Sequence, residues 1–146
     1  MTQLSPHFSL SEMTVTGTGL PNVAPSQAIA SLTALCVNVL EPIRAHFGKP
    51  VQVNSGYRGP AVNRAVGSKP TSQHAKGEAA DIEIPGVSNL ALARWIAANL
   101  KFDQLIAEAV KANDPSAGWV HVSYGPRMRG QVLTMKGGKY TVGLAA

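Results

Sequence analysis

A chain of 146 residues that is 45% hydrophobic and only 14% charged is too apolar to stay disordered, and it is the size of one globular domain, 1–146, whose core needs no cross-links. The single cysteine excludes a disulfide framework and a thiolate cluster, so any metal site must be built from His and carboxylates. Thirteen Lys and Arg against eight Asp and Glu leave a formal charge of +5, which favours an acidic partner; no basic run with interleaved aromatics and no helix-turn-helix or zinc-finger spacing points to nucleic acid.

Residues 1–25 mix Ser, Thr, Gly and Pro without a period, apart from Ser9-Leu10-Ser11-Glu12, which has capping spacing; this predicts an N-terminal arm with one helical turn. No basic region followed by an apolar stretch opens the chain and no window approaches 18 apolar residues, so the expectation is a chain made soluble in the cytoplasm, without signal peptide or membrane span. From Ser26, the positions Ile29, Leu32, Leu35, Cys36, Val39, Leu40, Ile43 and Phe47 recur at threes and fours. That spacing predicts an amphipathic helix capped by Ser26, stopped by Gly48 and kinked at Pro42, with Cys36 as a core thiol.

The alternation Val51-Gln52-Val53-Asn54 predicts a short strand, and Gly56, Gly59 and Pro60 turn it into a brief helix over 61–66. A polar loop, 67–78, leads to a strand over 80–84 that ends at Pro85-Gly86, and Ser88 caps a helix reaching Leu100 with Leu92, Trp95, Ile96 and Leu100 inward. Strands follow over 102–107 and 119–124. The segment 125–146 closes the chain as a basic hairpin around Lys136-Gly137-Gly138, carrying Arg127, Arg129, Lys136 and Lys139 with no acid, and is expected to help attach the protein to a polyanion. The pattern predicts α+β with a small, mainly antiparallel sheet packed against helices, and a monomer, since no long apolar edge or exposed heptad is present.

The chemistry-bearing stretch is Ser72-Gln73-His74-Ala75-Lys76-Gly77-Glu78-Ala79-Ala80-Asp81, where a loop His and a strand-start Asp are set among small residues. His121 is the third oddity: strand alternation puts it on one face with Trp119 and Ser123, and an imidazole amid an apolar strand needs a partner. Two His and one carboxylate make a catalytic zinc set with a fourth position open to water. Taken singly, the same residues read equally well as a solvated loop His, a strand cap and a core His.

Ser55-Gly56-Tyr57-Arg58, the stretch Ser72 to Asp81, and Trp119-Val120-His121 resemble, in order and spacing, the zinc D-Ala-D-Ala carboxypeptidases and peptidoglycan endopeptidases of the M15 peptidase family. Phe8-Ser9-Leu10-Ser11-Glu12, Leu40-Glu41-Pro42-Ile43-Arg44 and Phe102-Asp103-Gln104-Leu105-Ile106 are similar to its phage and prophage, endolysin-like branch, so the resemblance covers residues 7–125. It implies a hedgehog/DD-peptidase-like fold, one Zn2+ on His74, Asp81 and His121, and substrate contact by Arg58, whose fork suits a peptide carbonyl or carboxylate. Ser72 and Gln73 are expected to bind substrate and to orient the ligands, and Tyr57 and Trp119 are either core or substrate-pocket wall.

Several members of that family carry the general-base carboxylate three residues before the last His, where this chain has Gly118. The base must then come from Glu78, Glu83, Asp103, Glu108 or Asp114. Glu108 is favoured, because pairing of its strand with the His121 strand brings it to the metal if Gln104, Ile106 and Glu108 share the cleft face; Asp114 is second. The expected function is zinc-dependent hydrolysis of a peptidoglycan stem-peptide bond, at a terminal D-Ala or an internal L-Ala to D-Glu linkage, in phage-mediated lysis with a separate holin-type release factor. The alternative is an inactive zinc-stabilised wall-binding or virion module of the same fold.

Overall fold

The computed structural model describes residues 2–111 and 113–145. The predicted arm contains more than a helical turn: β1 (Gln3–Ser5) and β2 (Phe8–Ser9) pair as a small antiparallel hairpin, followed by helix α1 (Leu10–Met13). Ser9 and Glu12 form a reciprocal capping box at its start. The arm is pinned to the body by Glu41, which accepts from Ser5 Oγ at 2.6 Å and from the His7 backbone at 2.8 Å.

The long helix is α2 (Ser26–Leu35), a π turn (Cys36–Leu40) and α3 (Glu41–Phe47), ended by Gly48 in the left-handed conformation. Two expectations are corrected here. Ser26 is the first helical residue rather than the cap; Pro25 holds the cap position and offers no side-chain hydrogen bond. Pro42 does not act as a simple kink: the helix continues past it, and the turn before it opens to i+5 bonding, with the Glu41 N–H donating to the Cys36 carbonyl. The Pro42 ring has no N–H to give the Asn38 carbonyl, and the wider turn is the departure from i+4 bonding that precedes it. At 22 residues, Ser26–Phe47 is also long and apolar enough to cross a bilayer, contrary to the sequence expectation. Here its apolar side is the core, with Leu32, Leu35, Cys36, Val39, Leu40 and Ile43 all fully buried. Cys36 is the expected core thiol, and burial, with the nearby Glu41 charge, pushes its pKa up to about 12.

Beyond it come β3 (Gln52–Ser55), α4 (Pro60–Ala65), a 3-10 turn (Gln73–Lys76) inside the predicted loop, β4 (Ala79–Glu83) and α5 (Asn89–Asn99), whose first turn is capped by Ser88 as expected. The remaining strands are β5 (Gln104–Glu108), β6 (Trp119–Ser123), β7 (Gln131–Lys136) and β8 (Lys139–Val142). They form a six-stranded sheet in the order β3-β4-β6-β5-β7-β8.

The fold is α+β, and the sheet is antiparallel except that β5 and β7 run parallel. The exception follows from the loop after β6, which doubles back beneath the start of β5: Gly130 N donates to the Phe102 carbonyl and Gln131 N to the Asp103 carbonyl. β7 therefore starts beside the start of β5. One face of the sheet presents Ala80, Ile82, Leu105, Ala107, Val120 and Val122 to Leu32, Leu35, Leu92 and Ile96 of the helices. Each such buried Leu, Ile or Val contributes about 1.5–3 kcal/mol. By strand alternation, the opposite face receives Asp81, Ile106, Glu108, Trp119 and His121.

Candidate metal centre and cleft

Strand pairing sets Asp81 opposite His121 and His121 opposite Ile106, so a carboxylate and an imidazole lie side by side on one rung of the sheet. His74 reaches the same point from the 3-10 turn, whose start is tied by Ser72 Oγ accepting from the His74 N–H at 3.2 Å. Its ring is oriented by the Gly56 carbonyl, 2.8 Å from Nδ1. That bond fixes the tautomer and leaves Nε2 to face the carboxylate. Gly56 can deliver its carbonyl because it packs against the Met13 backbone, where any Cβ would collide.

Asp81 Oδ1 lies 3.3 Å from His74 Nε2 and 3.1 Å from His121 Nδ1. Bonds of about 2.0–2.1 Å to a tetrahedral zinc require donors about 3.3–3.4 Å apart. Both spacings therefore fit tetrahedron edges, and the three donor atoms lie within 4.8 Å of one another. All three side chains are buried, and two imidazoles with one carboxylate form a donor set suited to zinc with one position open. Burial alone would raise the Asp81 carboxyl, but hydrogen bonds from His121 and His74 and their charge hold it well below the ordinary carboxylate range.

Glu108 shares the cleft with these residues. It pairs with Trp119 across the ladder, and Trp119 Nε1 donates to its Oε2 at 2.6 Å. Burial, with the neighbouring Asp81 charge, raises its pKa against the opposing pull of His121, Trp119 and His74. Gly118 cannot hold a substitute, since its φ is +74° and a Cβ would run into the backbone carbonyl of Glu108. The other carboxylates lie elsewhere. Asp114 is exposed and caps Ser116, Glu83 accepts from Asn54 and Asn89, and Glu78 and Asp103 accept from Gln73.

Arg58 lines the cleft, but its Nε donates to Ser55 Oγ at 2.9 Å and its Nη2 to Asp81 Oδ2 at 3.2 Å. It thus holds the carboxylate oxygen turned away from the imidazoles and has Nη1 left to donate. Ser72 and Gln73 also line the cleft; Ser72 ties the His74 backbone, whereas Gln73 contacts Glu78 and Asp103 rather than a ligand. Trp119 is cleft wall. Tyr57 is a core residue at 5% exposure and is not part of the lining.

The cleft is open, with a volume of about 720 Å³, and it includes residues that the sequence reading assigned no role there: Lys69, Arg127, Arg129 and Tyr140. The basic segment after residue 125 is thus divided, two of its four cations lining the cleft and Lys136 and Lys139 flanking the β7–β8 turn. Arg129 is committed to buried Asp103, donating through its backbone N–H at 3.1 Å and Nε at 2.6 Å. Burial alone would raise the Asp103 carboxyl, but the Arg129 donors, aided by Gln73, outweigh it and bring it from 3.8 to about 2.

A depressed carboxylate adds stability that is present above its unfolded value and is lost as pH falls through the folded one. Arg129→Ala should therefore cost about 2 kcal/mol in urea unfolding at pH 6, and the deficit should shrink as the pH is lowered toward 2. A deficit of the same size at pH 6 and pH 2.5 would contradict this account. Compared with models of known families, residues 6–123 match the Peptidase M15 model, whereas a search of curated proteins finds no match.

Proposed function

As the chain belongs to the M15 peptidase family, we propose that it hydrolyses a peptide bond in peptidoglycan stem peptides at a zinc centre formed by His74, Asp81 and His121. The observation that carries this reading is the set of donor spacings, 3.1 and 3.3 Å, at the base of an open cleft that also holds a carboxylate of raised basicity. Zinc bound there would polarise the scissile carbonyl and acidify a water.

The chain's own residues supply the rest. Glu108 takes the water's proton on its carboxylate, which Trp119 anchors through Oε2 so that Oε1 is left for the transfer. The raised pKa suits a group that must both accept a proton and pass it to the leaving amine. Arg58 keeps Asp81 Oδ2 engaged, leaving Oδ1 toward the imidazoles, and its unused Nη1 donates to the substrate carbonyl or carboxylate. The resemblance of residues 8–12, 40–44 and 102–106 to the phage and prophage branch supports a role in lysis, with a holin-type factor giving access to the wall.

The purified protein, incubated with peptidoglycan with and without a chelator, tests this reading. Release of new amino groups that stops on chelation and returns with zinc is the expected result. Sedimentation with the wall without any release would instead identify a binding module.

A further inference from the structure

Gln73 opens the 3-10 turn that carries His74, but its side chain bonds to two carboxylates outside the metal set. Its amide has two N–H groups, and both are occupied: Nε2 donates to Asp103 Oδ2 at 2.7 Å and to Glu78 Oε1 at 3.2 Å. Glu78 immediately precedes β4, the strand of Asp81, and Asp103 immediately precedes β5, the strand of Glu108. One side chain therefore ties the His74 turn to the strands that bring the other two acidic groups to the cleft. The main chain closes the same junction, since the Glu78 N–H donates to the Gln73 carbonyl at 2.9 Å.

The anchor behind Gln73 is completed by a segment that the family match does not reach. Asp103 is 1% exposed, and a neutral amide alone would leave its charge poorly compensated. Arg129 supplies the counter-charge as a fork, Nε on Oδ1 at 2.6 Å and Nη2 on Oδ2 at 3.3 Å, and so holds the carboxylate in the plane that meets Gln73. The chain just past β6 seats on the other end of the brace. Tyr124 N–H donates to the Glu78 carbonyl at 2.8 Å, and a Cβ on Gly125 would stand 2.9 Å from Glu78 Oε1 and 3.3 Å from Gln73 Nε2.

We propose that Arg129, Asp103 and Gln73 act in series as positioning residues for His74, so that zinc affinity is set in part by a guanidinium bonded to Asp103 rather than to any metal donor. This rests on the zinc centre of the reading above. Loss of the Gln73 donors frees the turn from both strands. Loss of the guanidinium frees the carboxylate that holds Gln73. In either case the conformational cost of fixing the turn is moved from folding to metal binding, and the affinity falls.

Zinc affinity, measured by competition with a chromophoric chelator, is the test. Gln73→Met keeps the length of the side chain and removes both donors, and it should weaken zinc about 10- to 100-fold, as loss of a group orienting a metal ligand does. Arg129→Ala should weaken it too, and the double variant should lose no more than the larger single effect, because the residues form one chain. Should Arg129→Ala fail to fold, Gly125→Ala takes its place: its Cβ displaces the Gln73–Glu78 pair without altering a charge, and it must show a loss. Ile43→Val loosens the core helix away from the cleft and should keep native affinity, which separates the relay from a general loss of stability. Native affinity in either single variant, or losses that add in the double variant, would overturn the series. Zinc uptake without peptide release would sink the peptidase reading and leave the relay to be judged by affinity. If the native protein takes up no zinc, the metal-centre reading fails, and hydrogen exchange decides the relay: the Gly77 and Glu78 amides, which bond to the Gln73 carbonyl or its neighbour, should exchange faster in Gln73→Met and Arg129→Ala, and unchanged rates would refute it.

Discussion

Replacing Glu108 by Gln should lower turnover by about 10²–10⁴-fold while zinc content and the unfolding transition stay at wild-type values. The amide preserves shape, and its oxygen can still accept from Trp119 Nε1, so the 2.6 Å contact that places the side chain has a ready substitute. What is lost is the proton acceptor. Activity of the native protein should fall on the acid side as Glu108 takes up its proton, above the ordinary glutamate value of 4.5 because burial raises it. That acid limb should be missing from the residual activity of the variant. Near-native turnover in Glu108→Gln, with a large loss in Asp114→Asn, would transfer the role to Asp114, despite its exposed position.

The second large effect is expected at His121. His121→Ala removes one of three donors and leaves Asp81 and His74, so stoichiometric zinc should be lost and turnover should fall by about 10³-fold or more. The sheet should survive, because Val120 and Val122 on either side of His121 point to the opposite face and are fully buried in the core. Metal analysis of the purified variant, alongside circular dichroism, is the measurement. One zinc per chain in folded His121→Ala protein would show that the metal is held elsewhere.

Much of this site was legible because its residue types are scarce. With one cysteine and eight carboxylates, the chain offers few ways to build a metal centre, and an imidazole within Trp119-Val120-His121-Val122 stands out against apolar neighbours. The reading of Glu108 depended on register, which a sequence leaves open; the pairing of Glu108 with Trp119 turns that residue to the cleft, as the favoured of the two registers required. Lys69 and Arg127 gave no comparable signal. Both lie in irregular segments: the Lys69 carbonyl is held by Asn63, six residues earlier, through a loop with no period to reveal it, and the turn of Arg127 is fastened by Arg129 on Asp103, 26 residues away in sequence. The π turn was hidden for another reason: Pro42 announces a disturbed helix, but which carbonyl yields depends on packing around Cys36 and Leu40.

The position of β7 between β5 and β8 has a consequence for any shortened form of the protein. The family match ends at residue 123, and a fragment cut there would keep all three metal donors and Glu108. It would also strip β5 of its parallel neighbour, leaving the strand that carries Glu108 with a row of bare N–H and C=O groups. Such an edge, with Leu105, Ile106 and Ala107 in sequence and without Lys, Pro or a bulge to guard it, invites pairing with another copy of itself. Asp103 would at the same time be buried without Arg129. The last strands thus cover the edge of the strand that carries Glu108, and a fragment ending at residue 123 is expected to self-associate.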